Sequence, residues 1–447
     1  MPNSPFTSAH FYLLCLVSVI AGVGYFGLMI FSYMTDIISQ LFFINSGKDW
    51  LYYTQMGGLL VASFVMMPLG GLLIGRYGDT HGRHPALLLS LLGMGVFTFL
   101  LGLLPTSEQI GVIAPLLFIF IKIGQSLAFG GLIPTVWVFA SEHLPKRSLG
   151  FGFGVISACG ILAILALLGV LFILENTSTQ EQMLGFVWRV PFLLAGAIGL
   201  GLVFLTYQLD ETPVFLTAKK ETTPSIPDKE LTLQSLLDEE TGSGIFYFLK
   251  KHMAILLPAV TLSWLTASLV IIVALLLPNL INSAFVIEHG VLRLGSIICL
   301  VFMMLGCMVF GFMADYSNAD KVMLFGGTFF VVQISLFFGH LISGGELILV
   351  FFALLGFGTG IIAVAPTVIV QLFNTKHRLS YVAAIYSSMY AIASGVLPFA
   401  LGYATFYMRM APALYLTLVV VMTIFISFYL YHLPYIQKPK QDIYHEA

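Results

Sequence analysis

Only 9% of this chain is Asp, Glu, Lys or Arg, so the few charged side chains at fixed spacing carry most of its chemistry. The densest group is GRYGDTHGRHPALL, residues 75–88, where Gly75, Asp79, Gly82 and Arg83 follow G-x3-D-x2-G-R. Gly75 lets two helix ends approach closely. Asp79 suits a helix N-terminus, whose dipole favours an anion. Arg83 can pair with a carboxylate or with carbonyls at a helix C-terminus. Such a cluster can latch one arrangement of two moving bodies. A degraded echo follows in GFMADYSNADK, where Gly311 and Asp315 keep the spacing and Asn318 and Ala319 replace Gly and Arg.

A lone Lys122 lies between LLFIFI and IGQSLAFGG, with Gln125 on its helical stripe. A charge at the centre of a bilayer costs roughly 2.5–3.5 kcal/mol on insertion scales, so Lys122 is expected to face a wet cavity and attract a substrate carboxylate. Snorkelling and a structural ion pair are the competing readings. Tyr25, Met29, Ser32 and Asp36 share another stripe. Asp36 reads either as a proton site or Lys122 partner, or as a hydrated helix end. Tyr386 and Tyr390 join Tyr25 as candidate cavity-lining groups, and Ser387, Tyr390 and Ser394 recur at helical spacing. Trp137, Trp264, Asn279, Asn282 and Gln333 are weaker candidates, since intramembrane polar groups often serve helix packing or interface anchoring. Arg293 is expected near an outer surface.

No catalytic pair accompanies these groups. HExxH, a nucleophile elbow and two-His metal spacing are all missing from the sequence. Cys15, Cys159, Cys299 and Cys307 lie in apolar runs without CxxC spacing, so no disulfide framework and no metal are expected. GFGTG at 356–360 lies inside an apolar span and is not a nucleotide loop. Neither an enzyme nor a cofactor is expected.

The elements that must position these residues follow from composition. The chain has 447 residues, 59% of them hydrophobic, and a mean hydropathy of +0.98. Soluble domains carry about 25% charged residues. A soluble enzyme, a nucleic-acid binder and a disordered chain are excluded, and the formal charge of −2 points to no polyionic partner. Twelve apolar stretches are long enough to span a bilayer: 11–41, 55–75, 85–105, 111–140, 149–174, 185–208, 254–281, 289–314, 321–342, 345–373, 380–404 and 409–432. The first lacks a basic n-region and is too long for a signal peptide.

With both termini inside, fourteen of the nineteen basic residues fall in inner loops and tail, four fall at outer ends, and Lys122 is left over. Basic loops stay cytoplasmic. Residues 209–253 are polar and read as a cytoplasmic linker, with a short amphipathic helix near Leu231–Leu237. The expected fold is therefore all-α and polytopic: two pseudo-symmetric six-helix bundles, 1–208 and 254–435, with a cytoplasmic tail at 436–447. Such halves commonly rock against each other around a midplane site.

Five stretches carry a family resemblance: PLGGLLIGRYGDTHGRHPALL (68–88), GQSLAFGG (124–131) with ASEHLPKR (140–147), VWRVPFLL (187–194), LDETPVFL (209–216) and QLFNTKHR (371–378). In this order the chain resembles the major facilitator superfamily, and more narrowly its metabolite:proton symporters. The resemblance implies alternating access, a small-molecule substrate, a lipid bilayer, a co-transported proton, and a latch that includes Arg378. It also exposes departures. The family's two acids in helix 1 fall on Gly24 and Gly27, its helix-4 Arg on Lys122, and its helix-4 Glu on Leu132. Proton coupling is therefore expected to be weak or relocated, with Asp36 the candidate. The expected function is inner-membrane transport of an organic acid or polycarboxylate by a monomer. The alternatives are an amino-acid or betaine importer, a metabolite or drug exporter, and a non-transporting sensor.

Overall fold

The computed structural model describes residues 6–42, 64–221, 245–285, 287–344 and 346–432. Among these residues every regular element is helical. The first half holds α1 (Ser8–Tyr33), α2 (Thr35–Phe42), α3 (Met67–His81), α4 (Arg83–Leu103), α5 (Ile113–His143), α6 (Leu149–Thr177) and α7 (Val190–Thr206). A short α8 (Pro213–Glu221) precedes the second half. That half holds α9 (Ile245–Leu269), α10 (Leu277–Ala284), α11 (His289–Tyr316), α12 (Ala319–Ser343), α13 (Ile348–Thr359), α14 (Ala365–Gln371), α15 (Arg378–Tyr407) and α16 (Ala411–His432).

Eleven described segments are long and apolar enough to cross a membrane. The second expected span is represented by α3, because residues 55–63 lie outside the described residues. So does Leu231–Leu237. Large apolar side chains such as Phe204, Phe325 and Phe425 are exposed, which suits a surface solvated by lipid tails. Pairing between the halves is reciprocal: α3 packs on α15, and α11 packs on α6. We call this double contact the seam.

Three expected spans are interrupted. The first ends at Tyr33, because the Thr35 hydroxyl donates to the Phe31 and Ser32 carbonyls and closes the turn. Asp36 then sits in the first turn of a separate helix, so its expected stripe with Tyr25 is broken. The seventh span passes through a wide π turn, Val270–Leu276, before α10. Pro278 has no N–H to give the carbonyl four residues back. That carbonyl, of Ala274, accepts the Tyr33 hydroxyl at 2.7 Å, joining α1 to the second half. The tenth span contains a tighter turn, Gly360–Val364, ahead of Pro366.

Candidate functional site

At one end of the molecule the G-x3-D-x2-G-R loop turns between α3 and α4. Gly82 makes the turn at φ 125°, a conformation open to glycine and strained for other residues. Asp79, near the end of α3, reaches across the seam to the N-terminus of α15. It accepts the Leu379 N–H at 3.2 Å and the Ser380 N–H at 2.8 Å, and the Ser380 hydroxyl also donates to it. Asp315, near the end of α11, does the same in reverse. It accepts the Gly150 and Phe151 N–H groups, both at 2.7 Å, at the N-terminus of α6. Each aspartate thus takes the second and third N–H of a helix in the opposite half. Gly150 and Gly311 meet backbone to backbone there, and Gly75 lies against the Ser380 backbone, so the helices touch where no side chain would fit.

The two ends of this symmetry differ in strength. Arg83 is fully buried and pairs with Glu142 through Nε at 3.2 Å. It also donates to the carbonyls of Gly78 and Thr375 and lies 3.4 Å from Asp79. Glu142 is shared: Arg378 donates to it at 3.0 Å and the Thr212 hydroxyl at 2.7 Å. Glu211 accepts the backbone N–H groups of Arg83 and His84 at the start of α4. Two guanidiniums and three carboxylates are therefore joined across α3, α4, α5 and α15. Among the described residues no arginine pairs with Asp315, and Ala319 stands at the place corresponding to Arg83.

The middle of the seam is aromatic. Tyr25 of α1 and Tyr386 of α15 share a hydroxyl–hydroxyl bond of 2.9 Å between the halves. Tyr25 meets Phe129 edge-on at 5.6 Å, Phe129 meets Tyr390 at 5.7 Å, and Trp137 meets Tyr386 at 4.5 Å. Among the described residues the buried Tyr390 hydroxyl finds no hydrogen-bond partner, and neither does the Ser394 hydroxyl one turn further on.

Two turns from Phe129 along α5, Lys122 is 1% exposed. Its ammonium lies 2.6 Å from Gln125 Oε1 and 5.1 Å from the centre of the Phe31 ring. Gln125 donates to Thr98 Oγ1 at 2.7 Å and to the Gly27 carbonyl at 3.2 Å. The wet cavity expected around Lys122 is not open here. Lys122 is buried beside Gln125 and the Phe31 ring, and Gln125 is itself held by Thr98 of α4 and Gly27 of α1. Gly24 and Leu132, at the positions of two missing acids, lie in contact with each other. Asp36 is exposed. Of the weaker candidates, Gln333 is buried with neither amide atom bonded, while Asn279 and Asn282 are exposed on α10. Arg293 is exposed near the start of α11.

Residues 12–398 match the family model of the Major Facilitator Superfamily. The chain belongs to this superfamily. Its fold also superimposes on the proton:xylose symporter XylE bound to 6-bromo-6-deoxy-D-glucose, with a TM-score of 0.74, 14% identity, and coverage of 95% of this chain and 96% of that one. Among curated relatives, the glycine betaine/proline/ectoine/pipecolic acid transporter OusA of Dickeya dadantii is 29% identical over 43% of this chain and 38% of its own. A putative proline/betaine transporter of Staphylococcus aureus is 32% identical over 44% of this chain and 43% of its own. The chain thus matches less than half the length of these relatives.

Sequence reasoning passed over Glu142, Glu211, Thr212, Thr98 and Tyr33 as site residues. The two glutamates had a readable signal: both stand inside stretches quoted for the superfamily resemblance, ASEHLPKR and LDETPVFL, in a chain poor in acids. Thr98 and Tyr33 had none, because their roles depend on which helix faces which.

Proposed function

We propose that this superfamily member is a secondary transporter of a small zwitterion carrying an ammonium and a carboxylate, in the chemical class of proline and betaines. The observation behind this reading is the aromatic cluster of Tyr25, Phe129, Trp137, Tyr386 and Tyr390 at mid-seam. Ring faces attract ammonium groups by about 0.5–2 kcal/mol each, most strongly where water is excluded. The free hydroxyls of Tyr390 and Ser394 add donors for a polar head. The printed activities of the relatives support the same class. The two bundles, 1–208 and 254–435, rock about the seam. The clusters around Asp79 and Asp315 hold its cytoplasmic end shut, and the Tyr33–Ala274 bond holds the outer end. Both termini lie in the cytoplasm of a cell whose inner membrane the monomer spans.

The organic-acid reading has one observation in its favour, the buried cation at Lys122. A thermal-shift screen of purified protein separates the two, since a bound ligand raises apparent stability by mass action. Glycine betaine and L-proline should raise the melting temperature, and Phe129→Leu should weaken the effect. A shift with succinate or citrate alone would reject the zwitterion reading.

A further inference from the structure

Lys122 has no counter-charge beside it among the described residues. Its nitrogen has three hydrogens to place as an ammonium, yet among the described residues it finds one acceptor, Gln125 Oε1. Gln125 cannot be turned to offer more. Its Nε2 faces the Gly27 carbonyl, which only accepts, so Oε1 must face Lys122.

Among the described residues no element packed on α5 sets an acid beside Lys122, and Glu142 and His143 of α5 itself stand at the latch end. On α1, Tyr25 bonds Tyr386 and Tyr33 bonds the Ala274 carbonyl. Asp36 on α2, Glu108 and Glu175 are exposed. Cys159 of α6 lies against Gly22 of α1. Arg76, Tyr77, Asp79 and His81 of α3, Arg83 and His84 of α4, Lys219 of α8 and Arg378 of α15 belong to the latch end. Tyr386 and Tyr390 belong to the aromatic cluster. α14 carries no titratable group.

Sealing an unpaired ammonium away from water costs several kcal/mol, and a partner carboxylate offsets much of that cost. We propose that Lys122 carries the coupling proton: its site closes either around the amine alone or around the ammonium together with the substrate's carboxylate. This rests on the zwitterion reading and adds the ion to it. With the outer side open, water delivers a proton to Nζ and the substrate carboxylate pairs with it. With the inner side open, the substrate leaves and the same proton passes from Nζ to cytoplasmic water. The amine, held by Gln125, returns alone. One proton accompanies each carboxylate. No side-chain acid is needed at Gly24, Gly27 or Leu132.

The test uses purified full-length protein with glycine betaine and L-proline as probes. In wild type, at a pH where the free site has lost its proton, binding should take up one proton per ligand in weakly buffered solution. Affinity should fall about tenfold per pH unit once the free site has lost its proton. Lys122→Gln and Lys122→Arg should both bind more weakly, with no pH slope and no proton uptake. A wild type that binds without proton uptake overturns the proposal, as does a slope that survives Lys122→Gln. A slope that vanishes in Asp36→Asn instead assigns the proton to Asp36.

A ligand-free arm separates failure of this proposal from failure of the zwitterion reading. The melting-temperature advantage of Lys122→Met over wild type should shrink from about pH 6 to about pH 9, because wild type must shed a proton to close. A constant difference overturns the proposal even if neither probe binds.

Discussion

Replacing Asp79 by Asn changes one atom and should part the latch end of the seam. In the closed structure the Asp79 side chain is 4% exposed, so solvent screens its bonds little. Its two oxygens accept two backbone N–H groups and one hydroxyl from α15, with Arg83 at 3.4 Å. Asparagine keeps one acceptor and turns an N–H2 toward donors. The loss is one charge-assisted hydrogen bond, about 1.5–3 kcal/mol, and the anion at a helix N-terminus, about 0.3–1 kcal/mol and up to ~2 when partly buried. Their sum, about 3 kcal/mol, raises the ratio of parted to closed molecules roughly 100-fold. Spin labels at the exposed positions Thr80 and Lys376 flank this contact and would read the ratio by electron–electron distance measurement. Arg76→Gln removes a charge from the exposed face of the same helix and is the control. If Asp79→Asn populates the long distance no more than Arg76→Gln does, the helix-end account of the latch is wrong.

Asp315→Asn should act in the same direction but more weakly, by about 1–2 kcal/mol, because its carboxylate bonds two N–H groups without an arginine; labels across α6 and α11 would show it. Glu142→Gln takes the acid from Arg378 and leaves Arg83 with Asp79 alone, and should cost about 3–5 kcal/mol. The pair Glu142→Gln/Arg378→Met should recover part of that loss, and a double-mutant cycle on thermal stability measures the coupling. Tyr33→Phe removes the donor to the Ala274 carbonyl and should favour parting at that end by about 0.5–1.5 kcal/mol, seen as faster reaction of a cysteine introduced beside Tyr33 with a membrane-impermeant thiol reagent.

Helix count and the motif loop were legible because both depend on local pattern. A bilayer demands about twenty apolar residues, and the G-x3-D-x2-G-R spacing sets Asp79 and Arg83 on either side of the Gly82 turn. The interruptions were harder. Pro278 and Pro366 were visible, but apolar content alone runs through them, and the Ala274 carbonyl in the π turn at Val270–Leu276 meets Tyr33 of another helix. Asp36 was placed on a continuous first span, yet that helix ends at Tyr33, where the Thr35 hydroxyl closes the turn. The depth of Lys122 was readable from its neighbours, whereas its surroundings were not. A stripe shows which face a residue occupies, not whether water or Phe31 lies opposite.

The echo motif acquires a physical sense from this asymmetry. In both halves an aspartate must meet a helix N-terminus across the seam, so Gly311 and Asp315 keep the spacing that brings α11 onto α6. The arginine is a separate matter. Arg83 acts through Glu142, which Arg378 and Thr212 share, and Glu211 ties the same turn to the segment that leaves the first half. That network gathers residues from both halves at one place, and a second copy around Asp315 would need its own buried acids in a chain with few. Ala319 in place of Arg leaves Asp315 as a plain helix cap. The α6–α11 contact is then the weaker of the two closures, and if the halves rock as proposed they should part there first when this end opens.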